Sequence, residues 1–324
     1  MQSSEGLDAA WTLQTTGLLR TALNLLVISQ SISGWSISTR MTAHLDPKKL
    51  AALSSGLPWT GDDRRRGARH VWFLNAAFDR IGFDTALQRV AERPARDPFA
   101  FVVTPNVDHL VRLQTESVLA HLYAQAWLTV CDSRVLELIA DLSGEALDVT
   151  TGADLTAALF EGVIKPDEPI VVIGGDESVI AGLKARYGLS DIRWHEPPMH
   201  LRHKPDAIAE CAAFVAENPA RFTFLCVGSP QQELVAEACL ERGDCTGLGL
   251  CVGASLDFLS GKARRAPKWL QTLRLEWLFR LAEQPRRMWK RYLVDGSRIL
   301  VLWWRWRRDR QRVSALEQRL FDQL

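Results

Sequence analysis

Asp132 is the residue best placed to move a proton. It stands in Cys131-Asp132-Ser133-Arg134, directly after the apolar run Trp127 to Cys131. A carboxylate at the carboxyl end of a buried strand can take a proton from a hydroxyl as that oxygen attacks an electrophilic carbon. The competing role is a helix N-cap, since Asp at such a junction bonds the first free amides of the helix, and on the residues alone the cap is the commoner outcome. Thr104-Pro105-Asn106 follows a second apolar run, Phe99 to Val103, and reads either as a pocket wall or as a proline turn with a helix cap. Gly228-Ser229-Pro230 ends the run Phe222 to Val227, and Gln231, Gln232 and Glu233 then open a helix whose unpaired N–H groups favour an anion. Gly253-Ala254-Ser255 ends Leu248 to Val252, with Lys262, Arg264 and Arg265 shortly after. Arg280, Arg286, Arg287 and Arg291 carry guanidinium groups, which recognise a diphosphate bidentately, although each could equally belong to a solvated basic face. Gly174-Gly175 lacks the rest of a dinucleotide fingerprint, and His195, His200 and His203 lack tight ligand spacing, so no metal site is expected.

These groups need a scaffold that presents strand ends side by side. Short Val-, Ile-, Leu- and Phe-rich runs recur at Val71 to Leu74, Phe99 to Val103, Trp127 to Cys131, Pro169 to Ile173, Ile192 to Trp194, Phe222 to Val227 and Leu248 to Val252. Helix-length segments separate them, among them Thr85 to Glu92 with Asp84 as its expected N-cap. That alternation predicts an α/β fold: a Rossmann-like, largely parallel sheet flanked by helices, with ligands in the crevice outside the carboxyl ends of the strands. Residues 1–70, Ser- and Thr-rich with a run of Asp and Arg, read as a partly disordered extension, and Met41 is an alternative start. The core is expected over 71–267. Residues 268–324 show no strand pattern and form a helical appendage in which Trp269, Trp277, Trp289, Trp303, Trp304 and Trp306 are interspersed with arginines. Helices mixing tryptophan with arginine lie in the interface of an anionic membrane, and the bland alternative is a helix that packs its tryptophans on the core.

Composition narrows the class. The chain has 324 residues, 47% hydrophobic and 24% charged, with a formal net charge of +1, so no global field favours nucleic acid. Its six cysteines form no C-x-x-C pair and read as buried reduced thiols of a cytoplasmic protein. No apolar run reaches the ~20 residues that span a bilayer, which predicts a cytoplasmic protein, and the Trp- and Arg-rich carboxyl helices predict a peripheral position at the inner face of the plasma membrane.

Four motifs then stand in order: Gly228-Ser229-Pro230-Gln231-Gln232-Glu233, Val252-Gly253-Ala254-Ser255-Leu256-Asp257-Phe258-Leu259-Ser260-Gly261, Arg265-Ala266-Pro267, and Leu275-Glu276-Trp277-Leu278-Phe279-Arg280-Leu281. Together they resemble the WecG/TagA/CpsF glycosyltransferases, glycosyltransferase family 26. The resemblance implies an inverting, metal-independent transfer without cofactor, from a nucleotide-sugar donor, a UDP-sugar, to a lipid-linked saccharide on a polyprenyl diphosphate. It makes Asp132 the base, at the family's alanine-aspartate-glycine position, with Cys131 and Ser133 in place of the small neighbours. It puts Thr104, Asn106, Gly152, Gln232 and Glu233 in the donor pocket and Arg280, Arg286, Arg287 and Arg291 at the diphosphate. Val149 stands where relatives usually have an arginine, and Arg134 is expected to supply that cation. Two rivals stay open: a non-catalytic membrane-surface assembly protein on the same fold, and another Rossmann-type nucleotide-dependent enzyme. Whether the chain forms a homo-oligomer is open as well.

Overall fold

The computed structural model describes residues 70–114, 116–267, 269–270, 275–290, 294 and 296–321, without the side chains of 117, 118, 287 and 311–321. The extension expected over 1–70 lies outside the described residues but for His70. The strands are β1 (His70–Phe73), β2 (Ala76–Asp79), β3 (Ala100–Val103), β4 (Leu128–Thr129), β5 (Ile170–Ile173), β6 (Ile192–His195), β7 (Phe222–Leu225) and β8 (Leu248–Cys251). The helices are α1 (Phe83–Glu92), α2 (Val107–Arg112), α3 (Ser117–Ala124), α4 (Arg134–Asp141), α5 (Gly152–Gly162), α6 (Glu177–Tyr187), α7 (Pro205–Glu217), α8 (Gln231–Arg242), α9 (Ser255–Leu259), α10 (Glu276–Glu283), α11 (Pro285–Trp289) and α12 (Arg298–Phe321).

β3 to β8 form a six-stranded sheet in the order β4-β3-β8-β7-β5-β6, and every pairing in it is parallel. The physical reason is the uninterrupted apolar run in most strands: Ile170-Val171-Val172-Ile173 and Phe222-Thr223-Phe224-Leu225 are buried at every position, which requires cover on both faces. Alternation then sorts the side chains. Val102, Val172, Phe224 and Leu250 face α1, α5, α6 and α9. Phe101, Val103, Val171, Ile173 and Cys251 face α7 and α8. The product is a three-layer sandwich whose carboxyl strand ends open on one edge.

Two expectations need correction. Val71 to Leu74 is not the first strand of the sheet: β1 pairs antiparallel with β2 in a separate hairpin, register Phe73↔Ala76. Leu74 and Asn75 turn the chain with φ of 51° and 65°, the left-handed pair that a two-residue hairpin loop requires. Second, Gly82 rather than Asp84 precedes α1, and Asp84 lies in its first turn, where a carboxylate still complements the helix dipole. The hairpin packs with α4 and with Ile299, Leu302, Trp303 and Trp306 of α12 in a third apolar cluster. Phe73 meets Trp306 edge-on at 5.1 Å, and Trp303 Nε1 donates to Ser143 Oγ at 2.7 Å.

Candidate active site

Asp132 lies just past β4. Its amide donates to Pro105 O at 3.0 Å, while Cys131 bridges Val149 in parallel register, so three chain segments meet at this aspartate. The cap of α4 is the next residue: Ser133 Oγ accepts from Leu136 N at 3.2 Å. Ser133 thus relieves Asp132 of the capping role and leaves its carboxylate for other work. That carboxylate keeps a partial opening to solvent yet is surrounded by protein. Burial pushes it up to about 7; the Arg280 guanidinium pulls it down, Glu276 and Asp154 push it up, and the Gly152 amide favours its charged form.

Gly152 opens α5, and Thr151 caps it by accepting from Asp154 N at 3.0 Å. A Cβ at Gly152 would come within 3.0 Å of Thr104 Oγ1, so only glycine lets the strand end and the helix start approach without displacement. Thr104 is buried, and its hydroxyl donates to Cys251 O at 3.2 Å. Asn106 caps α2, accepting from Asp108 N at 3.1 Å and His109 N at 3.5 Å, which commits its side-chain oxygen to the helix.

Two guanidinium–carboxylate pairs flank Asp132. Arg265 Nη2 lies 2.7 Å from Asp154 Oδ1, and Asp154 Oδ2 accepts from Thr151 Oγ1 at 2.6 Å. Arg280 donates from Nε (3.1 Å) and Nη2 (2.5 Å) to Glu276 Oε1, and its guanidinium carbon lies 5.2 Å from the ring centre of Phe258. Asp154, Arg265 and Glu276 were assigned no role at the site, although Arg265 stood among the cations after Gly253-Ala254-Ser255 and Asp154 closes the turn Thr151-Gly152-Ala153-Asp154. Arg265 precedes Ala266-Pro267 and Glu276 lies one turn before Arg280; those motif positions were the available signal.

The structure therefore brings Asp132, Thr104, Gly152 and Arg280 together, with Asn106 at the base of the same turn. Arg134 lies elsewhere: its side chain is 51% exposed and pairs with Glu137 at 3.0 Å, one turn along α4. Arg286 is exposed on α11. The Arg287 side chain and Arg291 lie outside the described residues. Gln232 and Glu233 are 3% and 1% exposed, and the Gln232 amide is engaged: its Oε1 accepts from Gly253 N at 3.0 Å and its Nε2 donates to Glu233 Oε1 at 3.1 Å.

A parallel α/β sheet that carries a carboxylate raised by burial beside paired arginines at its carboxyl edge is a Rossmann-like scaffold with a candidate group-transfer site. Residues 71–313 match the family model described as the glycosyl transferase WecG/TagA/CpsF family, and the chain belongs to that family. It is accordingly a glycosyltransferase, acting between a nucleotide-sugar donor and an acceptor. Among the described residues no helix is long and apolar enough to cross a membrane.

Proposed function

We propose that the protein transfers a sugar with inversion from a UDP-sugar to the hydroxyl of a saccharide carried on polyprenyl diphosphate. The carrying observation is the charge pattern at Asp132. Its carboxylate is drawn up to about 7 by burial, while the nearby guanidinium groups are already matched, Arg265 by Asp154 and Arg280 by Glu276. A base that titrates near neutrality accepts the hydroxyl proton most efficiently as the C–O bond forms. The departing nucleoside diphosphate gains charge as the glycosidic bond to it breaks, and Arg280 and Arg265 supply fixed positive charge there. Thr104 and Gly152 shape the wall next to the base. The resemblance assigns Arg286, Arg287 and Arg291 to the lipid diphosphate, and of these Arg286 is exposed on α11.

The carboxyl segment supports contact with an anionic bilayer at the cytoplasmic face. Its tryptophans divide: Trp303 and Trp306 pack inward, whereas Trp304 is 60% and Trp289 51% exposed. Leu300 and Val301 are exposed on α12 near Arg305 and Arg307. Exposed rings with neighbouring cations suit the headgroup layer, where each Lys or Arg near the surface adds about 1 kcal/mol.

The test is release of UDP from a panel of UDP-hexoses and UDP-N-acetylhexosamines, offered with polyprenyl-diphosphate saccharides, with and without vesicles containing anionic lipid. Release that depends on the lipid-linked acceptor and rises with vesicles supports the reading. Release from another nucleotide class, or to a water-soluble acceptor alone, overturns it.

A further inference from the structure

Arg265, paired with Asp154 beside Asp132, stands on a strap that follows α9. That helix ends at Leu259, and Gly261 turns the chain with φ of 81°, a conformation that a side chain would resist. Residues 262–267 then run as neither helix nor strand. Ala263 N donates to Asp257 O at 2.9 Å, which ties the start of the strap to α9. Further along, Arg265 Nη2 meets Asp154 Oδ1 at 2.7 Å in the first turn of α5, and Ala266 behind it is buried.

Lys262 makes a second ion pair at the other end of the strap. Its Nζ meets Oδ2 of Asp176, 86 residues away in sequence, where β5 gives way to α6. Asp176 is set in advance for this contact. Its Oδ1 accepts from Ser178 Oγ at 2.6 Å and from Val179 N at 3.2 Å, so the carboxylate is fixed as the cap of α6 and Oδ2 is left for the lysine. Asp176 first, then Asp257 and Glu196, favour the charged form of Lys262. Most exposed ion pairs contribute little, because two long side chains must be ordered to form them. Here one partner is already ordered by its helix, and the pair joins two elements instead of two turns of one helix. The side chains are still 44% and 42% exposed, so salt screens the pair and its effect on an equilibrium is bounded at about fivefold.

The strap is thus fastened to α6 through Lys262, to α9 through Ala263 and to α5 through Arg265. An extended chain covers about 3.3–3.6 Å per residue, so Lys262 and Arg265 stand within roughly 10 Å of each other along it. Freedom gained at the first is felt at the second. We propose that Lys262 is a positioning residue, which by pairing with Asp176 fastens the strap between the ends of β8 and β5 and holds Arg265 on Asp154. This deepens the transferase reading and rests on it for the consequence in donor binding, whereas the fastening stands on the two ion pairs.

The experiment compares the unaltered chain with Lys262→Met, Asp176→Asn, the two combined, Arg265→Ala, and Arg265→Ala combined with Lys262→Met. Asn keeps an oxygen for Ser178 and Val179, so the cap of α6 survives and only the charge is lost. Hydrogen exchange at the Ala263 amide reads the fastening without any ligand, and titration calorimetry with UDP reads its effect through Arg265. Lys262→Met and Asp176→Asn should each speed Ala263 exchange and weaken UDP binding by about two- to fivefold. The combined variant should be no worse than either single one, because both remove the same contact. Salt at about 0.5 M should bring Ala263 exchange of the unaltered chain to that of the variants and leave theirs nearly unchanged. In the Arg265→Ala chain, adding Lys262→Met should weaken UDP binding no further. Unchanged Ala263 exchange in both single variants would show that the pair fastens nothing. Tighter UDP binding in Asp176→Asn, or a further loss when Lys262→Met is added to Arg265→Ala, would show that the lysine meets the anion itself. Each of these results overturns the inference. If the unaltered chain binds no UDP, the proposed reaction falls, while Ala263 exchange still decides the role of Lys262.

Discussion

Replacing Glu276 by Gln should make the enzyme more active in acid. Burial is the largest influence raising the Asp132 carboxyl to about 7, and Glu276 adds to it while Arg280 opposes it. A nearby charge shifts a carboxyl by about one pH unit or more, so neutralising Glu276 should move the acid limb of kcat down by about that much. At pH 6 a base titrating near 7 is about one-tenth ionised; after a shift of about one unit it is about half ionised, a gain of roughly fivefold in kcat. At pH 9 both forms are fully ionised and the two enzymes should be alike. The substitution is clean because Gln keeps an oxygen where Arg280 donates from Nε and Nη2 to Glu276 Oε1. Arg280→Ala should move the limb in the opposite sense, with an added rise in donor KM at every pH if its guanidinium also holds the diphosphate. The assay is initial-rate UDP release from pH 5 to 9 at saturating donor. An acid limb that stays put in Glu276→Gln, or moves upward, would refute the placement of Glu276 beside the base.

Three further outcomes follow from the same geometry. Asp132→Asn should lower kcat by roughly 10²–10⁴-fold, yet stabilise the fold at pH 8. A folded-state pKa raised from 3.8 to about 7 gives stability that is complete below the lower value and lost as pH rises through the upper one. The gain in melting temperature should therefore vanish toward pH 4. Arg265→Ala should weaken UDP binding by titration calorimetry roughly tenfold or more, by loss of a charge-assisted contact, whereas Arg134→Ala, paired with Glu137 on an exposed face, should bind as the unaltered chain does. Removing the exposed Arg305 charge should lower affinity for anionic vesicles about fivefold in a sedimentation assay, the equivalent of one interfacial cation.

The parallel sheet was legible because its evidence is local: four-residue apolar stretches such as Ile170–Ile173 must be covered on both faces wherever they stand. The hairpin was not. Its turn is Leu74-Asn75, and only Asn75 belongs to the residues that adopt positive φ readily, so the Asn-Gly or Asp-Gly signature of a two-residue turn is missing. At the site, sequence could place a carboxylate at a strand end but could not choose its task. Asp132 and Ser133 are adjacent and both cap helices well; the choice depends on which backbone amide each side chain can reach, and the chain direction after β4 gives Leu136 N to Ser133. Asn106 went the other way and serves its helix.

The missing cation shows the same limit at longer range. Arg134 was the plausible substitute by sequence proximity, but a helical side chain one turn from Glu137 forms that i,i+3 pair at little cost and points along the surface. The cations near Asp132 come instead from beyond β8, from the motifs Arg265-Ala266-Pro267 and Leu275 to Leu281: Arg265 reaches Asp154 in the first turn of α5, and Arg280 reaches Phe258 and Glu276. Both arrive already paired with carboxylates, which holds each guanidinium in place before any diphosphate enters. The pairing has a cost as well, since Asp154 and Glu276 reduce the field that an anionic donor meets. It also acts on Asp132: burial is the largest influence raising that carboxyl to about 7, Arg280 opposes it, and Glu276 and Asp154 add to it. On the proposed reaction, the carboxylate partners of Arg265 and Arg280 would reconcile a cationic grip on the leaving group with a base that titrates near neutrality.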